Sequence, residues 1–167
     1  MILRRAEISD IPVILSITDA GRRAQREQGF VQWNDGYPDK NTIEDDIILG
    51  GARLLIDGDT PVAYASLITS DSGYESLGDI WHYGGRYGVI HRMAVADAYR
   101  GKGVAGIFFD LLEKEAADSD IDAIRVDTGR ENMAMQHILS CRRYRSLGLC
   151  VFPWGPRLAY EKSLPKR

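Results

Sequence analysis

Val89-Ile90-His91-Arg92-Met93-Ala94-Val95, followed after Ala96–Tyr99 by Arg100-Gly101-Lys102-Gly103-Val104-Ala105, is the stretch on which the reading of this chain turns. The first run alternates as a strand does, with Val89, His91, Met93 and Val95 on one face and Ile90, Arg92 and Ala94 on the other. The second opens a helix expected over Gly103–Ser119. Its apolar positions Val104, Ile107, Phe108, Leu111 and Leu112 form one stripe. A strand that feeds a glycine turn into a helix gathers backbone N–H groups at the helix start, with no side chains in the way. That is an anion site suited to a pyrophosphate, and Arg100 and Lys102 add positive charge beside it.

Three readings compete for the turn. Its glycines serve geometry alone in the first. The second, a phosphate loop of the NTPase kind, fails because the Lys-Ser/Thr pair is absent. The third is the dinucleotide fingerprint, which Gly101, Gly103 and Gly106 match in spacing. That motif belongs in a first βαβ unit, however, and most of the sheet precedes it here.

Outward from this stretch, Ile2–Ala6 reads as a strand, and Ser9 or Asp10 caps a helix over Ile11–Arg26 with Pro12 in its first turn. Lys40–Leu49 is a second helix stopped by Gly50-Gly51. Strands over Ala52–Ile56 and Pro61–Ile68 flank the tight turn Asp57-Gly58-Asp59. Because a structureless loop of about 20 residues is improbable in a compact domain, Ile80–Tyr83 is expected to pair with the next strand across Gly84-Gly85. Ala123–Thr128 is a strand and Asn132–Cys141 a helix. Tyr144–Phe152 and Arg157–Lys162 make a closing hairpin around Pro153-Trp154-Gly155-Pro156. The element order gives an α/β sheet of mixed pairing in a single domain over residues 1–167.

Composition narrows the function classes. With 167 residues, 44% hydrophobic and 27% charged, the chain has the make-up of an ordinary globular domain that folds without disulfides or metals. Its net charge of −3 argues against nucleic acid as a partner. No apolar run approaches the roughly 18 residues of a membrane span. Arg4, Arg5 and Glu7 stand where a signal peptide would be apolar. Cys141 and Cys150 lack metal-ligand spacing and read as reduced, so no metal and a cytoplasmic location are expected.

Arg100–Ala105 matches the Q/R-x-x-G-x-G/A signature in full, and here the chain resembles the GNAT superfamily of acetyl-CoA-dependent N-acetyltransferases. Met93-Ala94-Val95 resembles the end of that family's fourth strand and Arg125-Val126-Asp127-Thr128 its fifth, while Asn132 opens the next helix as the family's asparagine does. The resemblance covers nearly the whole chain. It implies a largely antiparallel mixed sheet of about seven strands, with a splayed parallel pair formed by the fourth and fifth and about four flanking helices. It also implies acetyl-CoA as co-substrate. The pantetheine would bond the backbone of Met93, Ala94 and Val95, and the pyrophosphate would sit on Arg100, Gly101, Lys102, Gly103, Val104 and Ala105. Asn132 would line the other wall, with Met135 of the same helix assigned beside it.

In such a scheme the acceptor amine attacks directly, and strand N–H groups polarise the thioester carbonyl. A base must first deprotonate the amine. His91 is the first candidate, with a half-buried structural histidine as the alternative; His82 is weaker, and His137 reads as structural. The tyrosine that relatives carry seven residues after the asparagine is Leu139 here. One alignment therefore lacks a general acid, and a rival one makes Tyr144 the acid but leaves only Cys150–Phe152 for the sixth strand. Trp33, Asp35 and Tyr37 between the first two helices, with Trp81 from the later loop, are candidate walls of the acceptor pocket or simply loop packing. Arg142, Arg143 and Arg145 read as a solvated cluster. The expected function is acetyl transfer to a primary amine of a small molecule or peptide. The alternative is an acyl-CoA-binding sensor without turnover, and family members often pair as homodimers through terminal strands.

Overall fold

The structure is a computed structural model that describes residues 1–34 and 36–165. Asp35 lies outside the described residues. Seven strands are hydrogen-bonded in the order β1-β2-β3-β4-β5-β7-β6: β1 Ile2–Arg5, β2 Ala52–Asp57, β3 Thr60–Ile68, β4 Tyr87–Val95, β5 Ala123–Thr128, β6 Arg145–Phe152 and β7 Gly155–Ser163. The helices are α1 Ile11–Glu27, α2 Lys40–Ile48, α3 Ser72–Glu75, α4 Val104–Asp118 and α5 Met133–Cys141. All pairings with a resolved register are antiparallel except β4 with β5, which is parallel.

The chain divides into two compact units, 1–67 with 92–111, and 68–91 with 112–167. In the first, α1 and α2 bury Ile14, Ile17 and Ile43 among Leu54, Ile56 and Tyr64 of the strands. Trp33 and Ala94 complete this core. Ile14 and Ile17 lie one turn apart on α1, the helical spacing that turns an apolar stripe inward. The second unit has its own core of Tyr74, Val89, Phe152 and Ala159, with Ile80, Trp81 and Tyr87 packed against it.

Three expectations need correction. Ile80–Tyr83 forms no strand among the described residues; a 3-10 turn covers Gly78–Ile80 and an extended segment follows. The amides that a hairpin would have paired bond carboxylates instead. Glu161 accepts from His82 N at 2.7 Å and Tyr83 N at 3.4 Å, and Asp122 accepts from Arg86 N at 2.9 Å. The second concerns β4, whose simple alternation is broken at Arg92. That residue takes a left-handed φ of 55°, which interrupts the two-residue period meant to put His91 and Met93 on one face. At the first helix, Asp10 precedes α1 without a side-chain cap bond, because its carboxylate is held by Arg4 and by Glu7 N.

Candidate active site

In the first unit, β4 leads into a 3-10 turn over Asp97–Tyr99 and then into α4. Gly101 and Gly103 adopt φ of 72° and 76°, a region that side chains other than glycine enter at a cost. A Cβ placed on either would meet nothing within 4 Å, so the turn is open toward its surroundings. Gly103 O accepts from Ile107 N at 3.2 Å, which starts the helix. The two basic residues are engaged locally. Arg100 pairs with Asp97 at 2.7 Å and Glu27 at 3.2 Å, and the Lys102 ammonium stands 5.9 Å over the Tyr99 ring.

Arg92 is held from behind by Asp46, a buried carboxylate of α2. Asp46 accepts from Tyr64 Oη at 2.5 Å, Ser66 Oγ at 2.9 Å and Arg92 Nε at 2.9 Å, with Arg92 Nη2 as a further close partner. Burial acts to lower the Arg92 pKa, but the Asp46 carboxylate outweighs it and holds the guanidinium above its ordinary value. Arg92 Nη1 also donates to Tyr37 Oη at 3.1 Å. Trp33 is buried, with its N–H bonded to Gln25 Oε1 and its ring against Gly21, so it packs the core of this unit.

In the second unit, β4 and β5 pair over Tyr87↔Ala123, Gly88↔Ile124 and Val89↔Arg125, and there the parallel ladder ends. β5 stays paired with β7 as far as Thr128↔Leu158. Immediately past the ladder stands His91, whose side chain is 13% exposed and whose Nε2 lies 2.9 Å from Asp71 Oδ2. Asp71 is fixed in turn as the N-cap of α3, accepting from Gly73 N and Tyr74 N. Burial acts to raise the Asp71 carboxyl, but the hydrogen bond and charge of His91 hold it below its usual value. An ionised Asp71 accepts from Nε2–H, which leaves Nδ1 as the ring nitrogen not used by that bond.

Aromatic rings surround this pair. Tyr74 is fully buried, stacks on Trp81 and meets His91 edge-on at 5.4 Å. Its hydroxyl donates to Asp127 Oδ1 at 2.6 Å, while Trp154 Nε1 donates to Asp127 Oδ2 at 3.3 Å. Trp154, from the β6–β7 turn, lies 6.2 Å from the His91 ring and is 42% exposed. Trp81 donates to Tyr74 O at 2.9 Å.

Asn132 caps α5 through its side-chain oxygen, which accepts from Met135 N at 3.1 Å; both residues are half-buried. Leu139 is fully buried inside α5. Tyr144 is buried just before β6, its N–H bonded to Leu139 O and its ring under Lys162 at 5.4 Å. Since β6 runs over Arg145–Phe152, Tyr144 sits at the entry of the sixth strand, as the first alignment requires. Sequence reasoning missed Asp71, Tyr74, Asp127 and Trp154. Asp71 ahead of Ser72-Gly73 was a legible helix-cap signal, but nothing local linked it to His91 twenty residues on.

The acetyltransferase (GNAT) family model matches residues 18–145. No curated protein matches. Among solved structures, a GNAT-family acetyltransferase from Streptococcus agalactiae is 32% identical with a TM-score of 0.87, over 99% of this chain and 96% of that one. A chain from Salmonella typhimurium solved with its cofactor acetyl-CoA shares the fold at 18% identity and a TM-score of 0.68, over 100% of this chain and 95% of that one. Drosophila melanogaster polyamine N-acetyltransferase, which forms N-acetylagmatine, shares it at 10% identity and a TM-score of 0.70, over 98% and 99%. The glycine turn that opens α4, the parallel β4–β5 pair and the family match over most of the length lead to one conclusion: this chain belongs to the acetyltransferase (GNAT) family.

Proposed function

We propose that the chain is an acetyl-CoA-dependent N-acetyltransferase acting on a primary amine of a small molecule or peptide. The observation that carries this reading is the open turn at Arg100–Ala105, with two left-handed glycines at the entrance to α4. Its amides receive the pyrophosphate. The backbone of Met93, Ala94 and Val95 receives the pantetheine, and Asn132 and Met135 contribute from α5. His91 Nδ1 takes a proton from the acceptor ammonium, and the neutral amine attacks the thioester carbonyl carbon. The C–S bond then breaks, CoA leaves as thiolate, and the attacking nitrogen sheds its extra proton to solvent as the amide forms. Asp71 holds the His91 ring and its tautomer, in support of that role. This reading supplies no general acid for the thiolate, because Tyr144 stands at the entry of β6 and the tyrosine position is held by Leu139. Without one the thiolate still departs, because a thiol is a far better leaving group than an amine or alcohol. Trp81 is the acceptor-side aromatic of this reading, while Trp33 packs the core of the first unit and Tyr37 bonds Arg92 there.

Acetyl-CoA at a hundredfold excess over its Kd should stabilise the fold by about 2.7 kcal/mol. For a chain of this size that is a rise of roughly 5–10 °C in melting temperature. Thiol release on a panel of amines then measures turnover. His91→Ala should slow it by roughly a hundredfold or more at neutral pH while keeping the thermal shift. No shift at millimolar acetyl-CoA overturns the reading. A second reading, an acyl-CoA sensor, is favoured by the buried Leu139 at the tyrosine position; a full thermal shift with no thiol release on any amine selects it.

A further inference from the structure

Arg125 is a buried cation of the second unit that, among the described residues, has no carboxylate oxygen within ion-pair distance. It lies on β5 at the last rung of the parallel ladder, opposite Val89, and is only 7% exposed. Both flat faces of its guanidinium are covered, by the Tyr87 ring at 3.9 Å and the Trp81 ring at 4.5 Å. What remains is the edge, where a guanidinium presents its five N–H donors. Among the described residues a single acceptor meets that edge, Tyr83 O at a long 3.4 Å, and the buried Nε has none.

The obvious partner is present and is used elsewhere. Glu161 stands directly across the β5–β7 ladder from Arg125. Its fully buried carboxylate turns instead to His82 N, Tyr83 N and His82 Nδ1. Burial accordingly pushes the Arg125 guanidinium below its ordinary value. A buried cation with an unfilled, in-plane row of donors is costly unless an anion completes it. A carboxylate is an anion whose two oxygens match that fork. The residue belongs to the same ring cluster as the proposed base, since Trp81, which covers Arg125, stacks on Tyr74, and Tyr74 touches His91. Along the strand direction the ladder rung of Arg125 falls two residues short of His91, roughly 7 Å of rise.

We propose that Arg125 is the carboxylate-recognising residue of the acceptor site, so that the amine acetylated by this chain also carries a carboxylate. The proposal rests on the acetyltransferase reading and narrows it from any primary amine to an amino acid or amino-carboxylate. The segment Trp81–Arg86, half-buried to exposed and without regular structure, meets the guanidinium through the Trp81 ring and Tyr83 O.

The test pairs each acceptor with its neutral amide: alanine with alaninamide, and β-alanine and γ-aminobutyrate with theirs. Both kcat/KM by thiol release and direct calorimetric binding are measured, in the wild type and in Arg125→Met and Arg125→Lys. The wild type should favour at least one acid over its amide by tenfold or more. Arg125→Met should bring that ratio to near one, and Arg125→Lys should restore part of it. Equal handling of every acid and amide by the wild type overturns the proposal, even if Arg125→Met does not fold. Equal loss on acids and amides in Arg125→Met also overturns it, because that marks Arg125 as a packing residue. If acetyl-CoA raises the melting temperature but no amine turns over, the acetyltransferase reading fails on its own, and the acid-to-amide ratio in calorimetry still decides the role of Arg125.

Discussion

Arg92 is a residue whose backbone departs from what its place inside a strand would dictate. A left-handed conformation inside a strand costs a non-glycine residue about 1–2 kcal/mol. The Asp46 carboxylate offsets that cost by binding the guanidinium on two nitrogens, with Tyr64 and Ser66 filling its remaining lone pairs. Asp46→Asn should therefore destabilise the protein by about 3–5 kcal/mol, the usual penalty for breaking a buried pair from one side. It should also weaken acetyl-CoA binding, because Met93 and Val95 follow directly on the bend. Adding Arg92→Gly removes both the stranded charge and the left-handed penalty. The double variant should recover acetyl-CoA affinity in calorimetry beyond what Asp46→Asn retains. A double variant that binds no better than the single one would mean that the pair supports packing alone. None of this was legible in the sequence, where Asp46 is one acid among several on α2 and Arg92 shares a face with Ile90 and Ala94 in a regular alternation.

At the scale of elements, α3 is a single turn with a large consequence, because its cap residue is also the partner of His91. The Asp71 carboxyl titrates below its ordinary value in the folded state. A depressed folded-state pKa means that the carboxylate contributes stability above the unfolded value, near 4. That contribution is lost as the pH falls through the lower folded value. Asp71→Asn should flatten the acid limb of stability below roughly pH 4, and thermal melts from neutral to acid pH measure it. Identical limbs in the two proteins would remove Asp71 from this account. The long elements around it were legible from apolar spacing. α1, α2, α4 and α5 begin and end within one residue of expectation, and β5 covers Ala123–Thr128 as read. The segment from Thr69 to Arg86 was not. Its order comes from carboxylates of β7 and of the residue before β5, through Glu161 and Asp122. Hydrogen bonds between a backbone amide and a side chain distant in sequence leave no period to read.

For the whole molecule, the chain path matters more than any single element. The two compact units are interleaved in sequence, and β4 and α4 each contribute residues to both. Elements shared in this way tie the units covalently through regular structure rather than through a linker. Thermal unfolding should then be one cooperative transition, with far-UV circular dichroism and calorimetry giving the same midpoint. Two separated midpoints would show that the units melt independently. Family membership was legible at this scale from Arg100–Ala105 taken together with the element order and Asn132 at the start of α5. The cluster around His91 was not, since it is assembled from α3, β4, β5 and the β6–β7 turn, segments far apart in the chain.

The three tryptophans are divided between the units in a useful way. Trp33 is sealed in the core of the first, while Trp81 and Trp154 flank Tyr74 in the second, one over a guanidinium and the other bonded to a carboxylate. Indole emission shifts in colour with the charges and solvent around the ring. The protein therefore carries its own optical gauge, in which a ligand arriving beside Arg125 or His91 retunes two chromophores against the steady blue reference of the third.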